Sequence, residues 1–321
     1  MAHGKNHYLV LGGTGSIGYA FTRELLAHQE HTTLLARNTR KAQKLFGGHP
    51  CLTIAEGDAN SPELLKKLAA GASHIFHGIN YPYPEWEGNM ERITQYIIEA
   101  ATPNKATILF PGNIYNYGLT QHITETSPEA PCSRKGRIRV HLEQLLKDAA
   151  AAGKCHVVNL RLPDFWGPNV LNEGIAPIFC GALAGKAMPW LIRNDIPHQL
   201  VYTPDAAKAF YQLSQLQPEL PPYALYNFAG EVVPSIRAWQ QQIAQLAGTS
   251  PRHKVYSKGL VSFLSLFMPL MREIKEMAYL WGNTLLLHDD KLRHTLPQLT
   301  PTPMPEAIQQ TLAWFRQQRA G

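Results

Sequence analysis

The chain has 321 residues, of which 45% are hydrophobic and 17% charged, a globular balance that excludes a disordered or collagen-like chain. Its length leaves room for about two domains of ~150 residues and a sizeable core. Lys and Arg number 30 against 24 Asp and Glu, a formal charge of +6 with no dense basic stripe. That charge suits a phosphate-bearing ligand or a solvated basic surface equally well, and no nucleic-acid partner is expected.

In chain order, Tyr8-Leu9-Val10-Leu11 is a short apolar run ending in glycines and reads as a buried strand. Ile17, Ala20, Phe21 and Leu25 follow at helical spacing. Thr33 to Ala36 and Leu52 to Ala55 read as strands on either side of a helix from Thr39 to Phe46. Ser61-Pro62-Glu63 starts a helix, with Ser as N-cap and Pro at the first position. His74 to Phe76 is a strand, Glu91 to Ala101 a helix, Thr107 to Phe110 a strand, Val140 to Ala151 a helix and His156 to Leu160 a strand. This alternation predicts an α/β fold, a Rossmann-like doubly wound parallel sheet that binds ligand outside the carboxyl ends of its strands.

Past Pro168 the pattern becomes irregular until about Leu200. Thr203-Pro204-Asp205 then starts a helix and Tyr226-Asn227-Phe228 reads as a strand. From Ser235 on, the pattern gives a helix, a short strand near Val255, a helical segment around Pro269 and a last helix from Pro305 to Arg319. The expected domains are 1–168 with 200–230 as a nucleotide-binding domain, and 169–199 with 231–321 as a smaller substrate lobe.

The apolar run from Gly259 to Met271 is too short to span a bilayer and is followed by Arg272, Glu273, Lys275 and Glu276. Its residues, and those up to Trp281, are expected in the core of the lobe, with no membrane as partner. Cys51, Cys132, Cys155 and Cys180 lie far apart and form no CxxC pair, so neither a zinc ribbon nor a thioredoxin-like motif is predicted. Met1 to His7 is polar and reads as no secretory signal, which makes a reducing cytoplasm the expected location. His77 has no partner at metal spacing, so no metal is expected.

Gly12-Gly13-Thr14-Gly15-Ser16-Ile17-Gly18 lies between the first strand and the first helix. Glycines there permit a tight turn and let the backbone approach a pyrophosphate, while the helix N-terminus offers N–H groups to the anion. Arg37 ends the second strand about 20 residues later, where an acid would bind the ribose of NAD. An Arg there suits the 2′-phosphate of NADP instead, with Arg40 and Lys41 adding charge. NADP(H) is therefore the expected cofactor, with NAD(H) possible. Asp58 follows the third strand, placed either to accept from an adenine amino group or to cap a helix.

These residues resemble the extended branch of the short-chain dehydrogenase/reductase superfamily, the NAD-dependent epimerase/dehydratase family. The resemblance continues through Phe110-Pro111-Gly112-Asn113-Ile114-Tyr115-Asn116-Tyr117-Gly118, Thr124-Glu125, Arg161-Leu162-Pro163, Trp166-Gly167-Pro168, Val201 to Ala207 and Tyr226 to Gly230. It implies a Rossmann domain with a C-terminal substrate lobe and cofactor contacts at Gly12, Thr14, Gly15, Ile17, Gly18, Arg37, Asp58, Ala59, Gly78, Asn80, Arg139 and Pro163. It also implies hydride transfer on a sugar-like or oxo/hydroxy small molecule, and is compatible with a homodimer.

The family's usual site is a Ser or Thr, a Tyr acid/base and a Lys four residues later. Anchored on Glu143, those positions fall here on Asn113, Lys135 and Arg139. Arg139 can hold a ribose hydroxyl but stays charged, and Asn113 can polarise a carbonyl. Lys135 can donate a proton only if burial or Arg139 lowers its pKa. Tyr115 and Tyr117 are the leading substitute acids, followed by Tyr81 and Tyr83 in the aromatic loop after His77. The alternative is an inactive NADP(H)-binding sensor or regulator.

Overall fold

The computed structural model describes residues 6–217 and 219–320. The polar leader expected to carry no signal therefore lies, up to Lys5, outside the described residues. Strands β1 (His7–Leu11), β2 (His31–Ala36), β3 (Leu52–Glu56), β4 (His74–His77) and β5 (Thr107–Asn113) alternate with α1 (Ser16–Ala27), α2 (Thr39–Phe46), α3 (Pro62–Ala69) and α4 (Trp86–Ala101). A short β6 (His122–Ile123) precedes α5 (Arg134–Ala151), β7 (His156–Leu162) and β8 (Asp164–Trp166). Next come α6 (Ala176–Leu183), β9 (Met188–Leu191), β10 (His198–Tyr202), α7 (Thr203–Ser214), β11 (Tyr223–Asn227), β12 (Glu231–Val233) and α8 (Ile236–Ala247). The chain ends with β13 (His253–Tyr256), α9 (Lys258–Leu264), α10 (Pro269–Glu276), α11 (Tyr279–Gly282), β14 (Leu286–Leu287), α12 (Asp290–Thr295) and α13 (Met304–Ala320).

Seven strands form one sheet in the order β3-β2-β1-β4-β5-β7-β11. All of its pairs are parallel. Strand order reverses between β1 and β4, and the crevice outside their carboxyl ends is where such sheets take ligands. Successive side chains of β1 point to opposite faces. Tyr8 and Val10 pack in one core with α1, α7, α6, α8 and α13, while Leu9 and Leu11 pack with α3, α4 and α5. Both faces of the inner strands are thus covered, which explains why they read as continuous apolar runs rather than alternating ones.

Of residues 200–230, only Tyr223–Asn227 enters this sheet; β10 instead pairs with β8 and β12 in a separate three-stranded sheet. The stretch read as irregular after Pro168 contains α6 and β9. The Gly259–Trp281 segment divides. Val261, Ile274, Met277, Ala278 and Leu280 are buried, but Leu260, Phe263, Leu266, Phe267 and Met268, also expected in a core, face outward.

Two buried histidines give the fold a pH dependence. The His74 ring stacks on Tyr8, its Nε2 lies 3.1 Å from the Ser214 carbonyl, and burial pushes its pKa down to about 4. Burial, then the charge of Arg139, pushes His77 down to about 3. Both values lie below the 6.5 of a free imidazole, so between them the unfolded chain binds more protons than the folded one. Stability is full above that value and falls as pH drops towards 4, by on the order of a few kcal/mol. Urea unfolding measured across this range should show the decline, and His74→Gln should flatten part of it. A flat profile in the unmodified protein would contradict the assignment.

Candidate functional site

The glycine loop turns sharply from β1 into α1. Gly12 has φ +75°, and a Cβ there would lie 2.3 Å from the Gly78 carbonyl oxygen. At Gly18 a Cβ would meet the Gly12 carbonyl at 2.4 Å. The two glycines therefore let β1, α1 and the β4 loop approach one another backbone to backbone. Asn38, Ser61 and Ser133 cap α2, α3 and α5 with their side chains. Gly15 gives α1 no such cap, and the first turn of α1 holds no acid. Its N–H groups and positive dipole end remain available to an anion, the chemistry a pyrophosphate needs. Gly15 is exposed, with Thr14 and Ile17 half-buried beside it. Asn169 reaches back to this loop and donates to the carbonyls of Thr14 and Gly15 at 3.2 and 3.3 Å.

Arg37 stands exposed at the end of β2, and among the described residues no carboxylate pairs with it. Arg40 and Lys41 are exposed on the first turn of α2. Asp58 Oδ1 accepts from the Asn60 backbone N–H at 2.9 Å and from Asn60 Nδ2 at 3.0 Å. Tyr81 donates to Asn60 Oδ1 at 2.9 Å, so the loops after β3 and β4 are tied together. Ala59 is buried beneath this turn, Gly78 lies against the Leu11 carbonyl and Asn80 is exposed.

The other candidates gather where β5, α5 and the aromatic loop meet. Asn113 Oδ1 accepts from the Tyr115 N–H at 3.1 Å, which shapes the turn and leaves the Asn113 amide NH₂ as a donor. The Tyr115 and Tyr83 hydroxyls are 2.8 Å apart. Burial raises the pKa of both phenols, that of Tyr115 well above its ordinary value, and the charge of Asp164 adds to the rise. Both therefore hold their protons at neutral pH.

Ser133 caps α5, and its first turns send Lys135 and Arg139 inward, four residues apart on one face. The Lys135 ammonium is buried. It pairs with Glu273 and, at 3.0 Å, with Glu276, both on α10, and lies 4.9 Å from the centre of the Tyr83 ring. It acts as a tether between α5 and α10. The Arg139 guanidinium lies 4.9 Å from the centre of the Trp86 ring and 5.5 Å from that of Phe110. A break at Glu87 and Gly88, where Gly88 takes φ +70°, frees Trp86 from the axis of α4. Arg139 is 3.5 Å from the Pro111 carbonyl, its buried Nε has no partner, and no carboxylate pairs with it among the described residues. Burial lowers its pKa.

Tyr117 is not drawn into this group. Its ring is fully buried among Ile114, Ile123, Met277 and Leu280, with the Arg161 guanidinium 4.8 Å away and its hydroxyl unpartnered. Pro163 is buried between β7 and β8. Sequence reasoning passed over Asp164, which comes next. Its Oδ2 is held by His198 Nε2 at 2.9 Å and Trp281 Nε1 at 3.1 Å. Its signal was an acid directly after Arg161-Leu162-Pro163 at a strand end. Glu273 and Glu276 carried no comparable signal, because helical spacing does not say which helix they meet.

A family profile described as the NAD dependent epimerase/dehydratase family matches residues 8–229, more than half of the chain. No curated protein matches in sequence. Among solved structures, the chain is similar to the UDP-N-acetylglucosamine 4-epimerase from Methanobrevibacter ruminantium, solved with UDP-N-acetylmuramic acid. That likeness covers 98% of this chain and 99% of that one at 17% identity, with a TM-score of 0.75. It is also similar to the dTDP-glucose 4,6-dehydratase from Bacillus anthracis solved with NAD, over 98% of both chains at 17% identity and TM-score 0.76. The UDP-glucuronic acid 4-epimerase from Bacillus cereus, also solved with NAD, matches over 97% and 99% of the two chains at 16% identity and TM-score 0.76. At these identities the likenesses speak for the fold, and the profile match speaks for descent: the chain belongs to the NAD-dependent epimerase/dehydratase family.

Proposed function

We propose that this chain is a nicotinamide-dependent oxidoreductase or epimerase that prefers NADP(H) and also accepts NAD(H). Its substrate is a sugar-like or oxo/hydroxy small molecule. Residues 1–168 and 200–230 serve the cofactor, and 169–199 with 231–321 the substrate. The observation that carries the reading is Arg139: a buried cation without a carboxylate partner, beside a pair of protonated phenols at the strand ends. An unpaired buried charge is costly, and a hydroxyl or phosphate-bearing ligand offsets that cost.

The uncapped start of α1 with Gly12, Thr14, Gly15, Ile17 and Gly18 fits a pyrophosphate. Arg37 fits a 2′-phosphate, and Asp58, Ala59, Gly78, Asn80 and Pro163 are the further residues assigned to the cofactor. When bound, the nicotinamide supplies a hydride donor or acceptor. The chain supplies the proton. Tyr115 donates its O–H to a carbonyl oxygen, the Tyr83 O–H then hydrogen-bonds the phenolate left behind, and Arg139 offsets its charge. Asn113 polarises the carbonyl through its amide. Lys135, which occupies the family's Tyr position, is a positioning residue that holds the Tyr83 ring.

Calorimetry tests the cofactor assignment. A charge-assisted contact contributes ~1.5–3 kcal/mol, so NADPH should bind roughly ten-fold or more tightly than NADH. Arg37→Ala should abolish most of that difference while leaving NADH affinity nearly unchanged. Equal affinities in the unmodified chain would overturn the NADP preference.

A further inference from the structure

Among the described residues nine large apolar side chains are exposed, and five of them fall between Leu260 and Met268. They occupy one place, the helical hairpin of α9 and α10. Leu260 and Phe263 lie on α9, and Leu266, Phe267 and Met268 make the turn. The rings of Phe263 and Phe267 pack edge to face, 5.6 Å apart, and reinforce each other as a single apolar knob. Single exposed apolar residues are ordinary on a soluble surface, but a contiguous patch marks an interaction site.

We propose that this hairpin docks on an anionic lipid bilayer. Two features favour lipid over another protein surface. The first is the state of the turn's backbone. The N–H groups of Ser265, Leu266, Phe267 and Met268 each donate to a carbonyl of α9, and residue 269 is a proline with no N–H to satisfy. Arg272 donates its Nε to the Ser265 carbonyl at 3.0 Å and a terminal nitrogen to that of Leu266 at 3.3 Å. The knob can leave water without stranding these polar groups, which is what a hydrocarbon boundary demands.

The second feature is charge. From Arg252 to Lys275 the exposed charges are Arg252, Lys254, Lys258, Arg272 and Lys275, all basic. The one acid in that span, Glu273, is turned inward onto Lys135 and Arg134. An apolar tip flanked along the chain by exposed cations is the pattern of an interfacial segment that inserts to headgroup depth without spanning. No helix among the described residues is long and apolar enough to cross a membrane, so the association is peripheral and reversible. Because α10 carries Glu273 on its inner side, docking sets the candidate site one helix away from the lipid headgroups.

Co-sedimentation of the full chain with vesicles tests this, using phosphatidylcholine alone and phosphatidylcholine mixed with phosphatidylserine. The expected result is binding to the mixed vesicles, weakened several-fold by raised salt. Phe263→Ser with Phe267→Ser should lower partitioning by about ten-fold or more. Lys254→Glu with Lys258→Glu should lower it while leaving the apolar knob intact. An unchanged thermal melt of each variant shows that the fold is retained. Failure of the unmodified chain to sediment with phosphatidylserine vesicles would overturn the proposal. So would undiminished binding of the Phe263/Phe267 variant. Sedimentation velocity supplies a further overturning outcome: a dimer in lipid-free buffer that the same variant converts to monomer, which would make a second copy the occupant.

Discussion

Tyr115→Phe should lower the single-turnover rate of carbonyl reduction by ~10²-fold or more while leaving NADPH affinity nearly intact. General acid catalysis typically contributes ~10²–10⁴-fold, and the substitution removes one oxygen while keeping the ring. Three observations single out this hydroxyl. It sits at the end of β5, positioned by Asn113 through the Tyr115 N–H. It shares a hydrogen bond with Tyr83, which can follow the proton. Its pKa is raised, chiefly by burial, so the proton is present when a carbonyl arrives. Tyr83→Phe should cost less, because it weakens stabilisation of the phenolate without removing the donor. Tyr117→Phe provides the control: its buried hydroxyl has no partner, so its loss should leave rate and stability near the unmodified values. The readout is the absorbance of the reduced cofactor in a stopped-flow instrument, once a pooled set of sugars and ketones has yielded a substrate. A full rate in Tyr115→Phe would move the proton source to another group.

The second large effect concerns stability. Glu143 and Arg161 are buried under α5, with the carboxylate taking both Nε and a terminal nitrogen of the guanidinium. Glu129 adds a contact to Arg161 at 3.4 Å, and the Tyr223 hydroxyl donates to Glu143 at 3.4 Å. Glu143→Ala leaves the guanidinium buried and underpaired and should cost about 3–5 kcal/mol, read as a shift of the urea midpoint at constant slope. The exposed pair of Lys66 and Glu99, 3.3 Å apart, offers the contrast. Glu99→Ala should change stability by no more than about 1 kcal/mol. Equal costs for the two substitutions would mean that burial does not decide the worth of an ion pair here.

The sheet was readable from the chain because its inner strands are buried on both faces and appear as apolar runs between turn residues, while the edge strand β3 is only partly buried. The helix start at Ser61-Pro62 was readable because a cap and a proline act locally. The start of α5 was not. It begins at Arg134, well before the first apolar repeat near Val140, because its first buried residues are Lys135, Gly136 and Arg139 rather than hydrophobes. A helix that turns charge inward loses its periodic signal where its function lies. β5 likewise runs on through Pro111 and Gly112 to Asn113, where the strand approaches the site and gives up its apolar pattern. Within the candidate site, residues placed by a local motif were legible. Glu273 and Glu276 reach Lys135 from more than a hundred residues away, and Asp164 gains its setting only when His198 and Trp281 close on it. The outward-facing hairpin was hidden for a related reason, since composition cannot tell a core helix from an apolar one left uncovered.

Asn169 holds the glycine loop by two carbonyls, in a left-handed conformation of φ 61° that asparagine tolerates well. It also lies in the segment that joins β8 to α6. Asn169→Ala would remove both contacts and release the glycine loop from the root of the segment that follows.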